Sequence, residues 1–148
     1  MSIKFGEASF ELGETATTTA SGGTSGPTRK ITASRIFDQT TSALKLVRSI
    51  SSTHVDIAST SSKAAAEVLG LALNAVSEDD TGEILVFGTV TDDAFADFAV
   101  GDSLFLGANG DVVNSAPMSS GHLFLAPVGR AEGNSKIFIS TGILIALR

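Results

Sequence analysis

Two histidines, His54 and His122, are the only imidazoles in the chain, and there is no cysteine. A zinc site gathers three or four nitrogen, sulfur or carboxylate ligands at short spacings. Neither histidine has a second His or Cys at such a spacing. Each reads as a surface or structural residue, and no metal site is expected. The absence of thiols excludes disulfides, thiolate ligands and cysteine nucleophiles. The segment Ser77-Glu-Asp-Asp-Thr-Gly82 invites a calcium reading. It lacks oxygen ligands at alternate positions and the closing Glu of a calcium loop, so a hairpin turn is expected there. Asp92, Asp93 and Asp97 could supply the carboxylate pair of a glycosidase. Sugar clefts commonly add Trp or Tyr platforms, and the chain has neither. No serine sits in a Gly-x-Ser-x-Gly elbow. Gly107-Ala-Asn-Gly110 is not followed by Gly-Lys-Ser/Thr, and Gly22-Gly-Thr-Ser-Gly26-Pro27 follows no strand, so neither is a phosphate loop. No catalytic constellation emerges, no cofactor is implied, and the chain is not expected to be an enzyme.

The elements that hold these residues read as β-structure. Ser and Thr supply 21 of the 48 residues from Thr15 to Ser62, and such residues favour strands and turns over helix interiors. Short strands are expected at Ile31–Ile36, Leu44–Ile50 and His54–Ile57. Ser62-Lys-Ala-Ala-Ala-Glu67 predicts one short helical turn, followed by a strand over Val68–Val76. Glu83–Val90 is an apolar strand expected to be buried on both faces over part of its length. Thr91–Ala99 reads as a loop carrying Phe95 and Phe98, exposed in this reading. Asp102–Leu106 and Asp111–Asn114 form a hairpin through Asn109-Gly110, because Asn-Gly accepts positive φ. Gly121–Pro127, Val128–Ala131, Lys136–Ser140 and Ile143–Leu147 complete the series, with a turn at Gly133-Asn134. Gly70 and Gly129, inside apolar strands, mark bulges or close backbone approach. Strands at this spacing with Gly-marked turns predict a mainly β fold, a small β-barrel or sandwich.

The chain is long enough for one core, and mean hydropathy is +0.28. It has nine Phe but no Trp or Tyr, so packing must rest on Phe and aliphatics. Residues 1–30 read as an extended N-terminal arm, and residues 31–148 as the β-barrel-like domain. Thr15–Pro27 is too polar and Gly-rich to offset its ordering entropy alone. Ile3, Phe5, Phe10 and Leu12 beyond it are scattered apolar anchors, expected to bind a partner. Net charge is −6. Residues 64–129 contain ten Asp or Glu and no Lys or Arg, whereas the flanking segments are each slightly basic. Nucleic-acid binders carry a basic stripe, so no nucleic-acid partner is expected. No run approaches the length of a transmembrane helix, and the N-terminus lacks a signal-peptide apolar region. No membrane partner is expected.

The second half carries a longer pattern. Val68-Leu-Gly-Leu-Ala-Leu-Asn-Ala-Val76 precedes an acidic turn and Ile84-Leu-Val-Phe-Gly-Thr-Val90. Then come Val100-Gly-Asp-Ser-Leu-Phe-Leu-Gly-Ala-Asn-Gly-Asp111, Pro117, Gly121-His-Leu-Phe-Leu-Ala-Pro-Val-Gly-Arg-Ala131 and Lys136-Ile-Phe-Ile139. Over residues 65–140, about half of the chain, this resembles a module of tailed-bacteriophage structural proteins. It looks like the module of capsid decoration (cement) proteins, and a similar one occurs in phage tail-fibre proteins. The resemblance implies a compact barrel on the virion's capsid surface, assembled in the host cytoplasm and cementing neighbouring major capsid protein subunits. It implies further copies as partners, a homotrimer on threefold or quasi-threefold axes. The arm would lie on the shell or on a neighbouring subunit through Ile3, Phe5, Phe10 and Leu12. The alternative is a tail, baseplate or tail-fibre component involved in host attachment, for which the Phe95/Phe98 loop would serve.

Overall fold

A computed structural model of the chain describes residues 15–19, 28–118, 121–142 and 144–147. The fold is mainly β. Its strands are β1 (Thr15–Thr19), β2 (Thr28–Phe37), β3 (Leu46–Ser49), β4 (His54–Ile57), β5 (Val68–Ala72), β6 (Thr81–Thr91), β7 (Ser103–Leu106), β8 (Val112–Val113), β9 (Phe124–Leu125), β10 (Pro127–Gly133), β11 (Lys136–Ser140) and β12 (Ile145–Ala146). One helical turn, α1 (Lys63–Ala66), precedes β5. Its Ser62 side chain accepts a hydrogen bond from the Ala65 N–H at 3.2 Å, which satisfies one of the orphan donors at the helix start.

Five strands close into a barrel in the order β2-β4-β3-β5-β6, with β6 pairing back onto β2. The β2–β4 contact is parallel and short, Ile36 opposite His54 and Phe37 opposite Val55; β2–β6 is a long antiparallel ladder. β6 is long enough to serve two structures. Its first half belongs to the barrel, and its second half pairs with β11, which continues through β10 and β7 to β8. A bulge at Val86 marks the change, where the register with β2 skips from Leu85 to Phe87. Bulges bend a strand and raise its twist, as closing so small a ring requires.

Period-two alternation then divides the apolar residues between two cores. Each ring strand puts one fully buried side chain into the barrel interior, Phe37, Val55, Val47, Ala72 and Ile84, and Leu69 and Val86 pack against them partly buried. The neighbours Leu46, Leu71 and Leu85 point the other way, against Leu104, Val128 and Ile137 of the extension. β3, β5 and β6 are therefore buried on both faces, as the unbroken apolar run of β6 led one to expect.

Close backbone approach holds the layers together at two glycines. A Cβ on Gly70 would lie 2.3 Å from the Leu85 carbonyl oxygen. On Gly129, where φ is +154°, it would lie 1.9 Å from that of Phe138. The β10–β7 register shifts between Pro127 and Gly129, so the bulge expected from Gly129 is present.

Three expectations, on β5, β3 and Phe95, need correction. β5 ends at Ala72 rather than at Val76, because Val76 pairs instead with Thr41 across the barrel end. β3 starts at Leu46, since Leu44 turns through positive φ. Within residues 1–30, Thr15–Thr19 and Thr28–Lys30 are strand, the first paired with β2 and the second the start of β2. Phe95 is not exposed. The Asp92 carboxylate accepts from the Ala94 N–H at 2.9 Å and caps a tight 3-10 turn. The turn drives Phe95 into the larger core at 4% exposure, with Phe98 stacked on it at 6.0 Å.

Candidate functional site

The outer face of the extended sheet has nothing packed on it among the described residues. Register fixes which side chains share that face. Ile31 lies opposite Phe87, and Phe87 opposite Ser140. Phe138 lies opposite Thr89 and Arg130, and Phe105 opposite Pro127 and Val113. Phe87 and Phe138 meet edge to face, centroids 5.0 Å apart, a favourable aromatic geometry. Phe87 is nevertheless 40% exposed. The result is an apolar strip running across the strands, with the exposed Arg130 beside it. A second exposed apolar surface belongs to the β9–β12 ribbon. Leu123 and Ile145 are exposed there, while Phe124 and Leu144 on the other side pack onto the larger core. The C-terminal strand pairs with β9 of its own chain and not with the barrel.

The residues that could do chemistry are engaged in holding loops. His122 Nδ1 lies 2.6 Å from the hydroxyl of the buried Thr60, and the Leu123 N–H donates to the Thr60 carbonyl at 2.9 Å. These bonds fasten β9 to the segment before α1. His54 meets the Thr53 hydroxyl at 2.7 Å on the β3–β4 turn. In the acidic turn the Asp79 N–H donates to the Phe37 carbonyl and the Asp80 N–H to that of Ser77, a hairpin closure. No cluster of three or more His, Asp or Glu that could hold a metal ion occurs among the described residues. Among those residues no helix is long and apolar enough to cross a membrane.

Among the described residues, Asp102 alone has its acidity clearly shifted. The Asn114 side-chain amide donates to its carboxylate at 3.0 Å and the Ala99 N–H at 2.9 Å. Both favour the charged form and hold its pKa below the ordinary value of 3.8, against a small opposing desolvation. A depressed folded-state pKa means stability present above the ordinary value and lost as pH falls through the lowered one. An NMR titration of the Asp102 carboxyl should give a midpoint below 3.8. Asn114→Ala should move that midpoint upward; an unmoved midpoint would show that Asn114 does not hold the carboxylate.

The anchors Ile3, Phe5, Phe10 and Leu12, and the Gly22–Pro27 stretch, lie outside the described residues. The apolar strip was not among the residues singled out from sequence. A signal for it existed in β11, where Phe138 alternates with the inward Ile137 and Ile139. In β6 the continuous apolar run hides which residue turns outward.

No family model matches the chain, and neither does any curated protein. Among solved structures, the chain is similar to the head fiber gp8.5 N base of bacteriophage phi29. The two are 16% identical; the match covers 79% of this chain and 94% of that one, with a TM-score of 0.41.

Proposed function

We propose that this chain is a structural protein of a bacteriophage virion, without enzymatic activity, that binds the outside of the capsid and cements neighbouring major capsid subunits. The module over residues 65–140 suggests the virion. The observation in the fold that supports an adhesive role is the uncovered strip around Phe87 and Phe138 on the sheet that extends from the closed barrel. Exposed apolar surface concentrated on a rigid body is what interaction sites offer. Copies would act together as a homotrimer, so that individually weak contacts gain avidity. Ile3, Phe5, Phe10 and Leu12 of the arm would supply contacts to the shell or to a neighbour. For the tail-fibre alternative the Phe95/Phe98 loop would have served attachment, but Phe95 is buried.

Removing residues 1–14 leaves β1 and its pairing with β2 in place. The truncated protein should keep its thermal unfolding transition. It should lose at least about tenfold in affinity for undecorated shells, or ~1.4 kcal/mol. Saturation of shells by the truncated protein at the full-length concentration would remove the arm from this reading. Binding in numbers far below those of the capsid subunits would point instead to a tail location.

A further inference from the structure

We propose that the shell segment bound by the strip carries a carboxylate beside its apolar residue, and that Arg130 receives this carboxylate in the cleft between Phe138 and Ser103. This rests on reading the strip as the surface that holds the shell, and it names the chemistry of the partner there.

Register places the parts. Arg130 on β10 lies opposite Phe138 of β11 and opposite Ser103 of β7. Residues directly opposite in a ladder share a face, so the arginine stands in one row with the aromatic ring. Ser140 is two residues from Phe138 and lies on the same face. Ser103, Pro127, Gly129, Arg130, Phe138 and Ser140 line an open cleft of about 400 Å³. Binding clefts range over roughly 300–1,000 Å³. Phe138 walls this cleft and also meets Phe87 edge to face. The strip and the cation therefore form one continuous surface.

Charge then says what covers it. Lys45 pairs with Asp111, Arg48 with Asp56, Lys63 with Glu67 and Lys136 with Glu132. Arg130, by contrast, is exposed and has no ion pair or hydrogen bond among the described residues. Glu132, two residues along β10, is taken up by Lys136 at 3.9 Å. In the free protein water solvates the guanidinium. A partner that covers Phe87 and Phe138 strips that water from its neighbour, and a desolvated charge without a counter-charge is costly. The partner must therefore bring the counter-charge. A planar guanidinium takes a carboxylate through two parallel hydrogen bonds, and the Ser103 and Ser140 hydroxyls beside it are further donors. A free phosphate would satisfy the guanidinium but would leave the two rings bare. An acidic residue next to an apolar one on a protein segment satisfies both.

Full-length protein and undecorated shells test this. Phe87→Ser removes an apolar contact of the strip, and Arg130→Gln removes the cation. Lys63→Gln removes the same charge on α1, outside the strip. All three positions are exposed, so thermal unfolding should be unchanged. Phe87→Ser and Arg130→Gln should each weaken shell binding at least about tenfold, and Lys63→Gln less than about twofold. Arg130→Lys then identifies the group that is met. A water-soluble carbodiimide joins a lysine amine to an adjacent carboxyl as an amide and leaves arginine unreacted. Shells saturated with Arg130→Lys should yield a crosslink from position 130 to an Asp or Glu of the capsid subunit, located by mass spectrometry and absent with Arg130→Gln. If Phe87→Ser weakens binding while Arg130→Gln behaves as Lys63→Gln does, the proposal is overturned and the strip reading stands. If Phe87→Ser leaves binding unchanged, the strip reading falls and the proposal with it. A crosslink from position 130 to a second copy of this chain, or none to the shell, also overturns the proposal.

Discussion

Gly129→Ala is expected to destabilise the protein by at least ~3 kcal/mol, the sum of a backbone held where L-residues are strained and a collision inside a packed layer. The added Cβ would stand 1.9 Å from the Phe138 carbonyl oxygen, with the Phe138 carbonyl carbon and Ile139 Cα also within contact distance. These are backbone atoms in the β10–β11 ladder, so they cannot swing aside as a side chain could. Relief requires parting the ladder that carries Val128, Ile137 and Ile139 into the larger core. Gly101→Ala is the matched control. Gly101 also has positive φ, at +88°, but nothing lies within 4 Å of an added Cβ. Its cost should be no more than about 1–2 kcal/mol, from backbone strain alone. Urea unfolding of the two variants separates the terms, and equal midpoints would mean that the close approach at Gly129 is not maintained in solution.

Truncation at the two central positions of β6 should give the next largest losses. Ile84→Ala and Leu85→Ala each empty a fully buried site and should cost about 2–5 kcal/mol. They are adjacent in sequence yet lie in different cores, Ile84 inside the barrel and Leu85 against the extension. β3 and β5 divide their side chains in the same way, so neither core keeps its strands if the other is lost. Both variants should therefore unfold in one transition, with fluorescence labels on β4 and on β7 giving the same midpoint. A variant in which one label melts first would mean that the barrel and the extension fold as separate units.

Much of the barrel was readable because alternation and turn chemistry are local. His54–Ile57 and Lys136–Ser140 coincide with observed strands. Asn109 takes positive φ in the β7–β8 hairpin, and Ser62 opens a single helical turn. The misreadings came from long-range partners. Val76 left the expected strand because Thr41, far away in sequence, captured it. Phe95 looked exposed because its neighbours are acidic, but the Asp92 cap tucks the ring under the loop. The apolar strip was invisible for the same reason: Ile31, Phe87 and Phe138 come from three separate strands, and only the register brings them to one face. Gly70 and Gly129 were legible as close approaches because a glycine within an apolar strand has few other uses.

The pairing of β1 with β2 also bears on mechanics. Hydrogen bonds of an antiparallel ladder run perpendicular to the strands. A pull on the N-terminal segment along the strand axis therefore loads all five β1–β2 residue pairs in shear at the same moment, rather than opening them one after another. From β2 the load passes into the long β2–β6 ladder at the centre of the molecule. A partner holding the first residues would therefore pull on the molecule through a ladder that resists as a whole, with the barrel acting as the washer and β1 as the shank.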